Sequence, residues 1–502
     1  MPDVLKIFGP PGTGKTTRLL DVMEQELASG LPPERLAYLT FTVAARREAR
    51  HRALTRFGYP PERLKWIRTL HSAAYEVLGM TAGRLVTEYT GLEDFAKQYG
   101  YELTSRGAFT DDGLPMFGNN VGDKLMAFDH RRRHLLWTLA QSYKAMEDDT
   151  LNRWELERFT SAYVAWKEKE GRLDFTDLLE RIDERVILPC DVVIVDEAQD
   201  LSRLQWRAFW TFAGAAHRIY IAGDDDQAIY EWAGASPDAL LAQDGRVEVL
   251  PHSYRLPRTV WALAQKIVAP IRHRQQKTWT PRDAEGETRH VRYVDNVSLE
   301  TGSILALYRN HKYAHQFEEF LRAEGETFVR GSGHSSVPPA DADAIITWTR
   351  LARGHDVSTQ DLEGVLGRAS PHRISTAQRA AMRACDVKSW NAVSLGRYWP
   401  SEMFKAPWWH VLDHLQPTAM YLRRVIQKHG AAGLIASPRI RLSTIHGAKG
   451  AEADHVLLLK DISKMARRTF DITPDVERRV WYVAVTRAKN TLTLIGDDNP
   501  IV

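Results

Sequence analysis

The chain has 502 residues, 44% of them hydrophobic and 26% charged, and a formal net charge of +3. This length predicts about three or four domains in an ordinary globular protein. No apolar run reaches the roughly 18 residues of a membrane span, and the N-terminus leads directly into a predicted strand, so we expect no membrane segment, no signal peptide and a cytoplasmic location. Only Cys190 and Cys385 occur, which excludes a disulfide framework and a cysteine-built metal site.

A glycine-rich loop at residues 9–16 fits the pattern G-x-x-x-x-G-K-[ST]. The apolar residues at 4–8 predict a buried strand before it, and the spacing at 17–23 predicts a helix after it. The loop therefore lies at a helix N-terminus, whose N–H groups can hold phosphate oxygens. Lys15 is expected to reach the β- and γ-phosphates of a nucleoside triphosphate, and the Thr16 hydroxyl to ligate Mg²⁺. The residues predicted to bind the nucleotide here are Gly9, Pro10, Gly12, Thr13, Gly14, Lys15, Thr16 and Thr17.

Short apolar runs later in the chain predict further buried strands, at 37–41, 192–195, 219–222, 304–307, 456–459 and 492–495. Helical patterns separate these runs, an alternation that is typical of parallel α/β sheets. The strand signals stop from about 81 to 171 and again from about 331 to 433, where helical patterns take over. We interpret both stretches as inserted helical domains.

An acidic pair, Asp196 and Glu197, follows the apolar strand at 192–195. In a nucleoside triphosphatase an acidic residue at this place holds Mg²⁺, and a second carboxylate beside it can polarise the attacking water. We therefore predict that Asp196 binds the metal and that Glu197 is the general base. A solvated turn or a helix N-cap is the alternative, and the glycine-rich loop makes it the weaker one.

Seven other segments follow the order of a known set of motifs, at 41–45, 69–72, 173–179, 223–230, 253–255, 444–452 and 482–489. Together with the glycine-rich loop and the acidic pair, they resemble the motifs of the UvrD/Rep/PcrA group of superfamily 1 DNA helicases. The resemblance runs from residue 9 to residue 489, which is nearly the whole chain. It implies an α/β protein with two RecA-like P-loop NTPase domains, each built on a parallel sheet and each carrying a helical inserted domain.

The domain boundaries follow from the resemblance and from the places where the strand signals stop. The expected domains are core 1A at 1–80 and 171–256, insertion 1B at 81–170, core 2A at 257–330 and 434–502, and insertion 2B at 331–433. The family's nucleotide site takes residues from both cores. Closure of the cleft between the cores would then couple hydrolysis to movement.

The resemblance also assigns residues to the nucleotide. Gln227 would sense the γ-phosphate, and Arg255 and Arg487 would stabilise the charge that develops on the transferred phosphoryl group. Tyr254 would stack on the adenine, and Glu452 would meet the ribose or the γ-phosphate side. The implied ligands are ATP and Mg²⁺. The implied catalytic set is Lys15, Glu197, Gln227, Arg255 and Arg487.

A track for single-stranded DNA is implied as well, in which aromatic rings stack on bases and polar groups hold phosphates. Trp232 is the strongest stacking candidate, whereas Trp137, Trp154 and Trp166 are expected to be core residues. His71 and His446 could instead be ordinary buried histidines. The implied DNA-binding residues are Phe41, Thr42, His71, Tyr230, Trp232, Arg309, Asn310, Thr444 and His446.

The chain departs from the group's pattern at several places. Only eight residues precede the glycine-rich loop, so the upstream segment that usually carries an adenine-reading glutamine is missing and base selectivity is expected to be relaxed. Ala233 follows Trp232 at a position where the group often has an arginine. Ala451 and Ala453 flank Glu452 where the group usually has leucine and phenylalanine. The second insertion, about 100 residues long, is short for the group. In the group, unwinding depends on this second insertion, so its short length weakens the expectation of unwinding but not that of translocation.

The implied function is that of an ATP-dependent 3′ to 5′ single-stranded DNA translocase and helicase, which acts on single strands and on single-strand/duplex junctions and is expected to be a monomer. The polarity rests on resemblance alone. Three alternatives stay open: a DNA-stimulated ATPase that strips proteins or remodels nucleic acid with little unwinding, a DNA-binding remnant without hydrolysis, and an RNA-directed enzyme. A helicase–nuclease is not expected, because the chain ends soon after residue 489. Repair, replication, phage replication and defence are all compatible with such a motor.

Overall fold

The computed structural model describes residues 2–86, 91–103, 120–145, 151–385, 387–497, 499 and 501–502. The chain divides into two compact units. The first is Met1–Ala284 with Thr469–Tyr482, and the second is Glu285–Arg468 with Val483–Val502. The predicted insertion at 81–170 lies only partly within the described residues.

A six-stranded parallel sheet forms the centre of the first unit. Its strands are β1 Asp3–Phe8, β2 Leu36–Thr40, β3 Ile67–Thr69, β4 Val192–Val195, β5 Arg218–Gly223 and β6 Arg246–Val249. Their order across the sheet is β3-β2-β4-β5-β1-β6. The apolar runs form strands here because both faces are covered: Val193 and Val195 pack on one side of the sheet, and Val192 and Ile194 on the other.

The carboxyl ends of these parallel strands meet at one edge of the sheet, where ligands bind in open α/β folds. The loop 9–16 follows β1, the acidic pair follows β4, and residues 224–227 follow β5, the strand that lies between β4 and β1. Phe8 and Gly223, the last residues of β1 and β5, pair in register. The sheet therefore brings three distant segments to one place.

The helices of the first unit are α1 Lys15–Ala28, α2 Val43–Phe57, α3 Leu70–Val77, α4 Leu92–Tyr99, α5 Val121–His134, α6 Leu139–Lys144, α7 Arg153–Lys169, α8 Phe175–Glu180, α9 Arg203–Phe212, α10 Pro237–Leu241 and α11 Arg258–Val268. Helices α4, α5 and α7 share a cluster around Phe95, whose ring lies 5.0 Å from Tyr163 and 5.5 Å from Trp166. The burial of Trp166 confirms that it is a core residue. The same expectation for Trp154 is wrong: its ring is 64% exposed, because it lies on the outer face of α7 with Arg158 over it.

The second unit is built on another six-stranded parallel sheet. Its strands are β7 Glu287–Val291, β8 Ile304–Tyr308, β9 Phe328–Arg330, β12 Ile440–Thr444, β13 Ala453–Leu459 and β14 Ala488–Ile495, in the order β7-β14-β13-β8-β12-β9; a separate antiparallel pair is formed by β10 Val357–Ser358 and β11 Ser389–Trp390. Leu442 in β12 and Leu457 in β13 belong to the core of the large sheet, together with Phe317. This core is dominated by aliphatic strand residues, as expected for a sheet that is covered on both faces.

Apart from the short strands β10 and β11, the elements between β9 and β12 are helical. The helices of the second unit are α12 Ala314–Ala323, α13 Pro339–Ala352, α14 Thr359–Arg368, α15 Thr376–Arg383, α16 Ala392–Leu395, α17 Trp408–Val411 and α18 Ala419–His429; α19 Lys464–Ile472 and α20 Pro474–Val485 cross the division between the units. Helices α13 to α18 surround a core of their own around Trp348, Trp399 and Phe404. Trp348 stacks on Phe404 at 5.7 Å.

The prediction of an α/β fold with two parallel sheets is confirmed. The boundaries of the four expected domains stay a prediction. Within the described ranges, no helix combines the length and the apolar character that crossing a membrane requires.

Candidate functional site

The glycine-rich loop forms a tight turn between β1 and α1. Gly12 and Gly14 have φ values of 73° and 79°, a left-handed conformation that glycine adopts without strain. The Thr13 hydroxyl donates to the Pro10 carbonyl at 2.8 Å and closes the turn. Helix α1 begins at Lys15 with no side-chain cap, so the polar end of the helix is left to the loop and to what the loop binds.

The Lys15 ammonium lies against the acidic pair. Its Nζ is 2.9 Å from Glu197 Oε2 and 3.8 Å from Asp196 Oδ1. Burial alone would lower the pKa of Lys15, but the charges of Glu197 and Asp196 outweigh burial and raise this pKa above its ordinary value. The side chain is therefore a permanent cation at the place where phosphate oxygens are expected.

Asp196 is held on two sides at the end of β4. The Tyr38 hydroxyl donates to Asp196 Oδ2 at 2.9 Å, and the Glu197 backbone N–H donates to Oδ1 at 2.8 Å. Burial raises the pKa of Asp196, with Lys15 acting against this shift and Glu197 adding to it. Sequence reasoning missed Tyr38; its only signal is a hydroxyl-bearing residue within the apolar strand β2, which is the neighbour of β4.

Glu197 has a strained backbone, with φ 53° and ψ 38°. Among the described non-glycine residues only Leu136 shares a positive φ, and such strain concentrates at functional positions. Glu197 Oε2 accepts a hydrogen bond from Gln199 Nε2 at 2.5 Å. The Glu197 side chain is 32% exposed, against 5% for Asp196, so of the two carboxylates it is the one that can reach a water molecule.

Residues after β5 complete this edge of the sheet. The Gln227 amide donates to Asp224 Oδ2 at 2.8 Å, and the Asp224 backbone N–H donates to Gln199 Oε1 at 3.0 Å. Lys277 donates to Asp224 Oδ1 at 2.8 Å. Gln199 and Lys277 were not predicted, because they contact Asp224 from 25 and 53 positions away in the chain and such contacts leave no local pattern.

The segment 253–255 packs on the glycine-rich loop. The Tyr254 N–H donates to the Gly12 carbonyl at 2.8 Å, and the Ser253 hydroxyl donates to the Pro11 carbonyl at 2.7 Å. A Cβ atom on Gly12 would lie 2.3 Å from the Arg255 Cβ, so the approach needs glycine at this position. Tyr254 is 73% exposed and lies edge-on to His252, with ring centroids 5.0 Å apart. The structure thus brings Tyr254 and Arg255 to the predicted phosphate loop.

Residues Thr16 and Asp196 fit the partial protein ligation that Mg²⁺ uses when it binds with a nucleotide, in which one or two protein groups act beside phosphate and water. Thr16 is in the first turn of α1, and Asp196 lies close to the neighbouring Lys15. In the part of the chain that is described, no group of three or more His, Cys, Asp or Glu could hold a metal ion by itself.

Arg487 and Glu452 lie in the second unit. The Arg487 guanidinium is buried and donates to the Val483 carbonyl at 2.8 Å and to the Thr486 hydroxyl at 3.1 Å. Glu452 pairs with Lys489 at 2.6 Å. The roles predicted for Arg487 and Glu452 toward the nucleotide stay predictions.

Three of the predicted DNA-binding residues form an aromatic group in the first unit, Phe41, Tyr230 and Trp232. The ring of Tyr230 is 5.8 Å from Phe41 and 6.3 Å from Trp232. Phe41 is buried, Tyr230 is half-buried and Trp232 is 46% exposed. Trp232 therefore offers the largest accessible ring of the three.

Two further predicted DNA-binding residues of the first unit are Thr42, at the start of α2, and His71, in α3. The Thr42 hydroxyl caps α2 by accepting from the Ala45 N–H at 3.0 Å. His71 is buried, and burial lowers its pKa to about 4, so it is neutral at physiological pH. These properties agree with the alternative given above for His71, that of an ordinary buried histidine.

The remaining predicted DNA-binding residues follow two adjacent strands of the second unit. Arg309 and Asn310 follow β8, and Thr444 and His446 lie at and after the end of β12. Thr444 pairs with Tyr308 across these strands, so the four residues share one sheet edge. Asn310 Oδ1 accepts from the Ser463 N–H, and Thr444 Oγ1 accepts from the Gly447 N–H, both at 3.0 Å.

Comparison with known proteins gives two matched segments. Residues 2–248 match the UvrD/REP helicase N-terminal domain, and residues 421–498 match the UvrD-like helicase C-terminal domain. ATP-dependent DNA helicase UvrD2 of Mycobacterium tuberculosis is 25% identical over 97% of this chain and 76% of its own length. ATP-dependent DNA helicase Rep of Escherichia coli is 24% identical over 70% of this chain and 56% of its own length. The chain spans 37% of the putative ATP-dependent DNA helicase YjcD of Bacillus subtilis, at 24% identity.

Proposed function

The chain belongs to the UvrD/Rep helicase family, and on that premise we propose that it is an ATP-driven motor that moves along single-stranded DNA from 3′ to 5′ and separates duplex strands. The contact of Lys15 with Glu197 and Asp196 beneath the glycine-rich loop carries the proposal. A cation, two carboxylates and an uncapped helix N-terminus are the groups that phosphoryl transfer to water requires.

The proposed chemistry gives each of these groups one task. Lys15 binds the β- and γ-phosphates, which replace Glu197 as its anionic partner. Thr16 and Asp196 hold Mg²⁺, which when bound neutralises the phosphate charge. Glu197 accepts the proton of the attacking water, because its side chain is partly exposed whereas Asp196 is enclosed.

Other residues are proposed to orient the nucleotide and stabilise the reaction. Gln227 is the γ-phosphate sensor, and Tyr254 stacks on the base. Arg255 neutralises charge on the transferred group. Arg487 and Glu452 are proposed to assist hydrolysis, as in the family that the chain belongs to.

The aromatic group of Phe41, Tyr230 and Trp232 supports single-stranded DNA as the substrate. Stacking on an exposed ring is tolerant of sequence, because every base has a π-face. Trp232 is the ring that a base can reach. His71, Thr42 and the four residues at the ends of β8 and β12 are also proposed to bind DNA.

We also propose the division into 1A, 1B, 2A and 2B, a monomeric state and a cytoplasmic location. The separate hydrophobic clusters of α4–α7 and of α13–α18 support the two insertions. Independent cores are what inserted domains need in order to fold as units.

Strand displacement on duplexes with a 3′ or a 5′ single-stranded tail tests the proposal directly. We expect ATP-dependent displacement from the 3′ tail and none from the 5′ tail, with the Glu197→Gln variant inactive on both. Displacement from the 5′ tail alone would overturn the polarity. No DNA-stimulated hydrolysis by the wild-type chain would overturn the whole function.

Two other outcomes identify the rival functions. Stimulated hydrolysis without displacement from either tail would favour a translocase that strips proteins, in line with the short second insertion. Equal stimulation by RNA and DNA oligomers of one sequence would remove the restriction to DNA.

A further inference from the structure

Lys277 is a fully buried lysine outside the family motifs of the nucleotide site. Its Nζ lies 2.8 Å from Asp224 Oδ1, 2.5 Å from Asp225 Oδ1 and 2.8 Å from Asp226 Oδ2. Burial alone would lower the pKa of Lys277, but the three carboxylates outweigh burial and raise it, so the lysine is charged. A single ammonium group therefore forms ion pairs with three consecutive aspartates, and all three side chains are buried away from water.

The second cation near these aspartates cannot take over the task of Lys277. Arg274 donates through Nε to Asp226 Oδ1 at 2.8 Å and pairs with Asp226 through its other nitrogen. Among the ion pairs of the described residues, Asp224 takes part only in the one with Lys277. Lys277 and Arg274 therefore share one acidic cluster but reach different members of it.

Asp224 is the member of the cluster that touches the hydrolysis machinery. Its Oδ1 accepts from Lys277, and its Oδ2 accepts from the Gln227 amide at 2.8 Å. Its backbone N–H donates to Gln199, whose own amide donates to Glu197 at 2.5 Å. Asp224 is thus hydrogen-bonded to the proposed sensor directly and to the proposed base through one side chain.

We propose that Lys277 is a positioning residue for nucleotide hydrolysis, holding the Asp224 carboxylate in the orientation in which it fixes the amide of Gln227. The inference rests on the function proposed above. A buried carboxylate that loses its cation is costly to keep in place and turns toward another donor. Such a turn of Asp224 would weaken its hydrogen bond to the Gln227 amide, and Gln227 would then be less well placed to sense the γ-phosphate.

The test is steady-state ATP hydrolysis with saturating single-stranded DNA, in wild type, Lys277→Gln and Arg274→Gln. We expect Lys277→Gln to lower kcat by about 10- to 100-fold, the usual loss when a supporting partner of a reacting group is removed, with KM for ATP changed by less than about 3-fold. Arg274→Gln removes a cation from the same cluster and is the matched control. We expect it to keep kcat near that of the wild type.

A double-mutant cycle separates positioning from a general structural effect. If Lys277 acts through Gln227, Lys277→Gln combined with Gln227→Ala should be no slower than Gln227→Ala alone. Multiplied losses in the double variant, or an equal kcat loss in Arg274→Gln, would overturn the inference. Such a result would leave the proposed function intact, because wild-type turnover is measured in the same series.

Asp224→Asn provides a second route if Lys277→Gln does not yield folded protein. Asparagine keeps the size of the side chain but replaces one of the two accepting oxygens with an NH2 group, which cannot accept from Lys277 or from Gln227. We expect a similar kcat loss and the same lack of additivity with Gln227→Ala. Normal kcat in folded Asp224→Asn would refute the positioning role, whereas absence of hydrolysis in the wild type would refute the function on which it rests.

Discussion

Mild acid should destabilise the first unit through its buried histidines. Burial lowers the pKa of His71 to about 4 and that of His130 to about 3, and burial together with the neighbouring His130 lowers that of His134. The rings of His130 and His134 are stacked with their centroids 4.0 Å apart, so two positive charges on these rings would repel each other strongly. The unfolded chain, with histidine pKa values near 6.5, therefore binds more protons than the folded chain below that pH.

The sign and size of the effect follow from these values. The folded-state pKa is depressed, so the stability that His71 contributes is fully present above about pH 6.5 and is lost as the pH falls toward 4. For His71 alone, linkage between 6.5 and 4 gives a loss of about 2 kcal/mol at pH 5. His130 adds a similar amount.

Urea unfolding at pH 7.5 and pH 5, with tryptophan fluorescence as the probe, measures this loss. The transition of the first unit is identified as the one that shifts when an ATP analogue is added. We expect the pH-dependent loss in His71→Gln to be about 2 kcal/mol smaller than in the wild type. The control is His51→Gln, which changes an exposed histidine of the same unit and should leave the wild-type loss unchanged. Equal losses in the wild type and in His71→Gln would refute the reasoning, since carboxylate titration is common to both proteins.

Three other predictions concern the proposed motor. Glu197→Gln should hydrolyse ATP about 10²- to 10⁴-fold more slowly while still binding ATP and Mg²⁺, as measured by equilibrium binding beside turnover; near-normal DNA-stimulated turnover would exclude Glu197 as the base. Trp232→Ala should weaken single-stranded DNA binding by about 1 to 3 kcal/mol in a fluorescence titration and leave the basal ATPase unchanged, whereas Trp154→Ala, which removes another exposed tryptophan, should not affect DNA binding. GTP or CTP should support a measurable fraction of the ATP rate, because Tyr254 holds a base by stacking; strict selectivity for ATP would show that another residue reads the base edge.

The features that the sequence predicts well are those with a local pattern. The strand at 192–195 has apolar residues at every position, because both of its faces are covered, and its acidic pair marks the carboxyl end of a parallel strand. The loop at 9–16 combines glycine positions with a following helix pattern. Each signal lies within a few residues, so no knowledge of the tertiary contacts was needed.

The features that escaped prediction depend on contacts between distant segments. Tyr38 lies 158 residues from Asp196, to which its hydroxyl donates, and only the pairing of β2 with β4 brings them together. Lys277 follows α11 in a polar stretch, and such a stretch predicts an exposed position. In the structure, however, Lys277 is buried against three aspartates. The prediction for Trp154 was wrong for a related reason. A large apolar side chain predicts burial, but Trp154 lies on the outer face of α7 and is exposed.

In the proposed nucleotide site, Glu197 would compete with phosphate for Lys15. An entering nucleotide must separate an ion pair of 2.9 Å before Lys15 can bind it, so part of the intrinsic attraction between phosphate and ammonium does not appear as affinity. In the proposed cycle, the same carboxylate would pair with Lys15 again when a phosphate group leaves, which would assist product dissociation. Tight retention of ADP would slow a motor that has to release its product at every step. For the proposed motor, the pair would therefore favour rapid turnover over strong nucleotide binding.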